Sequence, residues 1–429
     1  MARNIVGAIV SAGLALAAVA EGRLPSFESP CLQGRGSSIN TLAALKRAPL
    51  LFLGGSAANC MTAIPHMPVP SIIHQSQYLK GGFDKEYPDH LPPRASYGTQ
   101  DEMRSFVDAL HAAGHFFSPY TNPTWWCDHP RSHTFVAAGE TPLSIDEKGG
   151  HIYEKYGKND GWTICFWHPA VQAANRNMRR QFTEDIPVDI LFQDQCGARH
   201  LQYDFNPAAP HPTAYLEGVI SMVEEDSRVV PLATEDGWDR VAREETALCG
   251  LSWGTVPLKE TPILEKSKIP PHLWDIEAIP GRLFHDKCLF FLHDLGGFVN
   301  DERSLAWCIA LGYQLSYRCS AWQFAHDDRA KAWYAKLHGI QQQVVARYAG
   351  RKLISFRHDR TPLLARDDVD AASPCDDGVV RAEYEGGMRL VVNLGDVART
   401  VDGCALPPYG FAVLPHRDMK IMNQIRGGK

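Results

Sequence analysis

The sequence predicts an α/β fold: a (β/α)8 TIM barrel followed by a small antiparallel C-terminal β-sandwich domain. Three observations predict it. From Ser71 onward, short apolar runs alternate with amphipathic helical patterns, as parallel βαβ units require. About eight such units fit into roughly 275 residues, the span of a barrel with insertions. No Gly-x-Gly-x-x-Gly or P-loop follows any strand, so the rival doubly wound sheet lacks its phosphate-binding turn.

The elements follow from periodicity. Ser71–Gln75 reads as a first strand, and Gln100–Ala113 as a helix with Met103, Phe106, Val107 and Leu110 on one face, ended by Gly114. His115–Tyr120 is a second strand with a long aromatic loop behind it. Thr163–Trp167 is a third, with a helix over Pro169–Thr183. Val188–Gln193 is a fourth with its helix at Thr213–Asp226, and Val229–Thr234 a fifth with a helix over Asp239–Cys249. Cys288–His293, a helix at Asp301–Leu311, Tyr313–Tyr317 and a long helix over Asp327–Tyr348 complete the barrel. Beyond Arg351 the pattern changes to short alternating strands, Val379–Tyr384, Met388–Asn393 and Gly410–Pro415, separated by Gly, Asp and Pro turns.

The expected organisation is therefore a leader over residues 1–22, an N-terminal segment over 23–70, a barrel over 71–350 and a β domain over 351–429. The leader has Arg3 before an apolar run from Ile5 to Ala20, with Ala18-Val19-Ala20 as a cleavage site. At about 16 residues the run is short of a bilayer span, so the expected location is secreted or periplasmic. A buried Ala-rich helix in a cytoplasmic protein is the alternative. Of 11 cysteines, Cys165, Cys249, Cys288, Cys308 and Cys319 lie in apolar stretches, where free Cys behaves as a small hydrophobe. Cys375 and Cys404 could pair in the C-terminal region, but the odd total argues against a full disulfide framework.

Composition narrows the function classes. The 429 residues carry 43 Lys plus Arg against 49 Asp plus Glu, so no basic excess exists to collect phosphates, and nucleic acid is not an expected partner. The 10 Trp are unusual, and the 29 Pro and 35 Gly imply many shaped loops. Neither Cys-x-x-Cys nor a zinc-like Cys/His spacing occurs.

In a barrel, chemistry sits at the C-terminal ends of strands, so acidic residues that end apolar strands are the informative ones. Asp194 closes Val188-Asp189-Ile190-Leu191-Phe192-Gln193, and Glu235 closes Val229-Val230-Pro231-Leu232-Ala233-Thr234. Neighbouring strands lie about 4.8 Å apart, which places two strand-end carboxylates about 5–6 Å from each other. That is the separation of a retaining glycosidase, where one carboxylate attacks the anomeric carbon and the other protonates the leaving oxygen. Crowding of the two charges keeps one group protonated near neutrality. An acidic residue at a strand-to-helix junction also serves as a helix cap. Two at adjacent strand ends, with aromatic loops around them, favour chemistry.

Substrate-binding candidates surround the pair. Gln195 follows Asp194 directly, and His293 and Asp294 end a late apolar strand, where they could hydrogen-bond hydroxyls or steady a cationic transition state. Tyr120, Trp125 and Trp126 lie in the loop after the second strand. Two consecutive Trp in a polar loop are not expected to be buried together, and pyranose rings stack on such faces. Trp167 and Trp238, with Trp162, are further candidates, and Asp84 follows Lys80-Gly-Gly-Phe where a terminal hydroxyl could be held.

Four stretches carry a resemblance: GGFDKEYPDHLPP (Gly81–Pro93), SPYTNPTWW (Ser118–Trp126), VDILFQDQCGAR (Val188–Arg199) and LATEDGW (Leu232–Trp238). The chain resembles an uncharacterised group of barrel glycoside hydrolases, related in layout to the endo-α-N-acetylgalactosaminidases and more distantly to the α-amylase superfamily. The resemblance implies Asp194 as nucleophile and Glu235 as acid/base, and His293-Asp294 is similar to a late-strand His-Asp pair of that superfamily. LVVNLG and LPPYGFAV (Leu390–Gly395, Leu406–Val413) look like the β-sandwich common behind such barrels. Those enzymes often carry a large β-sandwich before the barrel as well, and fewer than about 70 residues precede it here.

The expected protein is a retaining glycoside hydrolase that needs no cofactor or metal and acts on an oligosaccharide or glycan, without stable membrane insertion. A non-catalytic carbohydrate-binding barrel would keep the aromatic loops and lose the carboxylate geometry. A metal-dependent amidohydrolase would need His-x-His and further ligands beyond His74, and a Schiff-base aldolase a strand-end Lys.

Overall fold

A computed structural model of the chain describes residues 43–251, 278–292, 299–359 and 378–414. The expected leader, its cleavage site, His293, Asp294 and Cys375 lie outside the described residues.

Eight parallel strands form the barrel: β1 Leu50–Gly54, β2 Ile72–Gln75, β3 Phe116–Thr121, β4 Leu191–Gly197, β5 Leu232–Asp236, β6 Ala247–Cys249, β7 Leu289–Phe291 and β8 Ser316–Ser320. Their order is β7-β6-β5-β4-β3-β2-β1-β8. The Gln314 N–H donates to the Phe290 carbonyl at 2.7 Å, which brings the chain entering β8 against β7 and closes the ring. Pairing fixes which side chains point inward. Phe52, His74, Phe192, Ala233, Ala247 and Arg318 share one side, and the alternate residues, such as Leu51, Ile73 and Leu191, are buried beneath the helices.

The first strand lies earlier than expected, inside the segment that was expected to precede the barrel. Every residue of Leu50–Gly54 is buried, and a strand covered on both faces shows no alternation to read. The expected strand at Thr163–Trp167 is not a barrel strand. It begins at Asn159, ends at Thr163, and joins Trp125–Cys127 and Tyr153–Tyr156 in a three-stranded antiparallel sheet inserted between β3 and β4. The apolar run behind it, Ile164 to Phe166, is buried without forming a named strand. The expected helix over Asp239–Cys249 is one turn, Asp239–Ala242, followed by β6. Three residues of strand, Ala-Leu-Cys, are too short for any periodicity.

Helix boundaries follow their caps. Thr99 and Glu102 form a reciprocal capping box for Gln100–Ala112, and Asp301 with Ser304 does the same for Glu302–Leu311, which ends at Gly312 with φ 80°. Behind the barrel, Leu353–Asp359, Val379–Tyr384, Met388–Asn393 and Phe411–Leu414 form a four-stranded antiparallel sheet. The hairpin Arg399–Val401/Cys404–Leu406 lays Val401 and Leu406 against Val379, Val391 and Leu414, giving the sandwich its second layer. Eight cysteines, the five expected ones among them, are buried thiols outside any disulfide, and Cys404 is a thiol in the hairpin. No helix among the described residues is long and apolar enough to cross a membrane.

Candidate active site

The site is built on an irregularity between β4 and β5. Gln193 pairs with Thr234 and Gly197 with Asp236, so four steps of β4 are matched to two of β5. The excess is absorbed at residues 194–196, where Gln195 takes φ 63°, while Asp236 opposite takes φ 53°. Left-handed backbone at residues other than glycine costs about 1–3 kcal/mol and persists where the surroundings impose it. Gly197 permits the crossing, because a Cβ there would stand 2.5 Å from the Glu235 carbonyl oxygen. Its N–H donates to Thr234 Oγ1 at 2.9 Å. Asp84, at φ 55°, is the third such residue of the described barrel, and it too belongs to this site.

Asp194 is 9% exposed. Its Oδ2 accepts from the Tyr120 hydroxyl at 2.6 Å and from Asn122 Nδ2 at 3.1 Å. Burial, then the charge of Glu235, raises its pKa well above the usual carboxylate range, against the donor Tyr120. Glu235 is half-buried on the adjacent strand, on the same side as Ala233 and hence Phe192. The two carboxylates therefore act on each other across neighbouring strand ends. Burial also pushes Asp84 and Asp236 up to about 6, Asp84 against its contacts with Tyr87 and Asn159 and the charge of Lys85.

A polar chain braces Asp194 from behind. Asn122 Oδ1 accepts from Thr124 Oγ1 at 2.7 Å, and the Asn122 N–H donates to His90 Nε2 at 2.9 Å. Arg199 Nη2 donates to Thr124 Oγ1 at 2.9 Å and to Gln195 Oε1 at 2.7 Å, while its Nη1 meets both oxygens of Glu154 at 2.7 and 2.8 Å. Glu154 comes from the inserted sheet, as does Asn159, whose Nδ2 donates to Asp84 Oδ2 at 3.3 Å. The insertion thus acts as a buttress. None of Asn122, Thr124, Glu154 or Arg199 shows a periodic or strand-end signal in the sequence.

The structure brings Asp194, Glu235, Tyr120, Gln195 and Asp84 together, and Trp238, half-buried, lies three residues past Glu235. It corrects three aromatic expectations. Trp125 and Trp126 are each 1% exposed. They lie in a strand whose two faces are both covered: Trp125 packs against Tyr87 and Tyr156 over Gly161, and Trp126 against Phe135. Neither offers a ring face to a sugar. Trp167 donates its indole N–H to the Ala214 carbonyl at 3.0 Å and packs on the helix Tyr215–Ser227, outside the barrel. The exposed rings beside the carboxylates are instead Phe83, 47% exposed and 4.8 Å from Tyr120, and Tyr156 on Trp125.

No family model matches the chain, and no curated protein matches it in sequence. Solved structures do. An α-N-acetylgalactosaminidase, NagBb of Bifidobacterium bifidum, superposes with a TM-score of 0.61 at 14% identity, over 95% of this chain and 63% of that one. This chain thus spans less than two thirds of that enzyme's length. A GH36 α-galactosidase of Geobacillus stearothermophilus superposes at 0.52 with 8% identity, over 80% and 47% of the two chains. At such identities the likeness shows the fold, and the fold it shows is the (β/α)8 barrel found in these glycosidases.

Proposed function

We propose that the chain is a glycoside hydrolase that cleaves O-glycosidic bonds with retention, Asp194 serving as nucleophile and Glu235 as acid/base. One observation carries the reading. Both donors to Asp194 converge on Oδ2, which orients the carboxylate and leaves Oδ1 for the anomeric carbon, next to a second carboxylate on the adjacent strand end. Attack by Oδ1 forms the glycosyl ester as Glu235 delivers its proton to the leaving oxygen. Glu235, now ionised, then takes a proton from water that hydrolyses the ester. Tyr120 and Asn122 stabilise the carboxylate when the ester breaks. Phe83 offers an apolar face to the sugar. Asp84 Oδ1, buried with no hydrogen-bond partner, suits a sugar hydroxyl. The names of the structural relatives agree with this class of reaction.

Asp194→Asn and Glu235→Gln are each expected to lower hydrolysis of aryl glycosides by about 10²–10⁴-fold or more with folding intact. Full activity in either variant overturns the assignment. Azide should restore turnover to Asp194→Ala with a glycosyl azide of inverted configuration. The raised pKa of Asp194 favours a second reading in which the roles are exchanged. Under that reading the azide product of Asp194→Ala keeps its configuration.

A further inference from the structure

On β8, Arg318 pairs with Phe52 of β1 and points to the inside of the barrel. Its guanidinium lies 4.7 Å over the Phe52 ring, and Phe52 in turn packs 5.1 Å from His74, a wholly buried side chain of the barrel interior. The alternate residue, Tyr317, faces the other way and stacks on Tyr334 of the helix Asp328–Ile340. An inward-pointing side chain of a small barrel is ordinarily packed from sight, yet Arg318 is exposed. The opening of the barrel is therefore where its charge meets solvent. Gly54, the next inward position along β1, has no side chain of its own, and the Gln77 amide lies against it.

Arg318 has no carboxylate partner among the described residues. Arg199 and Lys85 are the cations that act on Asp194 and Asp84. Its position is distinctive, since in the ring of eight strands β8 stands opposite β4. Asp194 and Arg318 therefore stand on opposite walls of the barrel, and a saccharide that touches both must cross between them. A planar guanidinium held on an aromatic face, with its donors unspent, is suited to bidentate binding of a carboxylate or sulfate. A neutral sugar would leave that charge without a counterpart.

We propose that Arg318 is a specificity-determining residue that binds an anionic substituent, a carboxylate or a sulfate ester, on the saccharide held at Asp194. The proposal rests on the glycosidase reading for its substrate class but is tested by binding alone. Calorimetric titration with glucuronic acid, galacturonic acid and a 6-sulfated N-acetylhexosamine is compared with the neutral parent sugars, in the wild type and in Arg318→Gln. At least one acidic sugar should bind about 10–100-fold more tightly than its parent, the effect of a charged hydrogen bond, and Arg318→Gln should abolish the preference while neutral binding is unchanged. The uronic acids and the sulfated sugar distinguish the two anions. Arg318→Lys should retain part of the preference, since it keeps the charge and loses the fork. Equal binding of acidic and neutral sugars, a preference that survives Arg318→Gln, or no binding of any of them each overturns the proposal. Loss of hydrolysis in Asp194→Asn, measured separately, keeps the glycosidase reading independent of this result.

Discussion

The C-terminal sheet and the β4–β5 edge are both built from short β-forming stretches, yet they obey the rules of pairing differently. Val379–Tyr384 and Met388–Asn393 pair at every position, turned by Gly386 and Gly387 at positive φ. Across β4 and β5 the register jumps, Gln195 and Asp236 take left-handed backbone, and a carboxylate is buried. These two strands pair their backbones without interruption and bury alternate side chains in the core. The irregular edge accepts strain and unfavourable burial to aim Asp194 outward beside Glu235. Strained backbone concentrated at one edge of an otherwise regular barrel is how a functional constraint is expected to look.

The comparison breaks most readily through Arg199. Arg199→Met leaves the half-buried Glu154 without its partner, which should cost about 3 kcal/mol in urea unfolding. It also frees Gln195 and Thr124, so kcat on an aryl glycoside should fall by about 10–100-fold in the molecules that remain folded. In the regular region, Leu390→Ala removes a side chain buried in the main core and should cost about 2–5 kcal/mol with kcat unchanged. If Arg199→Met keeps the wild-type kcat, the polar chain behind Asp194 is packing only. The double variant Arg199→Met/Glu154→Leu sharpens the point, because it should recover stability and not rate.

A smaller effect separates two glycines. Gly197→Ala meets the Glu235 carbonyl oxygen at 2.5 Å, backbone against backbone. One strand must then shift, at about 1–3 kcal/mol, and carry Asp194 or Glu235 with it. Gly403→Ala, in the hairpin, meets nothing within 4 Å and is opposed only by its φ of 81°, a cost of about 1 kcal/mol. Melting curves and initial rates of the two variants should diverge: both lose stability, and only Gly197→Ala loses rate.

The same contrast explains what the sequence disclosed. The C-terminal strands at 379–384 and 388–393 were legible to the residue, because alternation and turn glycines agree with the fold there. Asp194 and Glu235 are legible as carboxylates that end apolar runs. Their places as fourth and fifth agree with the structure because two departures cancel: β1, buried on both faces, shows no alternation, and the inserted strand ending at Thr163 has the pattern of a barrel strand. The Trp pair is misleading because its polar neighbours have the composition of a loop where a sheet with two covered faces stands. Arg199, Asn122 and Glu154 were invisible because their roles depend on contacts between segments up to 75 residues apart, and no local pattern encodes such contacts.

A last effect concerns protons, and it distinguishes the two regions by pH. Burial lifts Asp84 to about 6 in the folded state, against about 3.9 in an unfolded chain. Between those values the folded protein holds a proton that the unfolded chain has released, so stability falls as pH rises from about 4 through 6 and then levels off. The shift amounts to about 2–3 kcal/mol. Asp84→Asn cannot ionise, so its stability relative to wild type should improve by that amount between pH 4 and 7 in denaturant titrations. The cost of Leu390→Ala, which involves no titrating group, should be the same at both pH values. A wild-type protein that gains stability relative to Asp84→Asn as pH rises would mean that Asp84 is an ordinary ion-paired carboxylate.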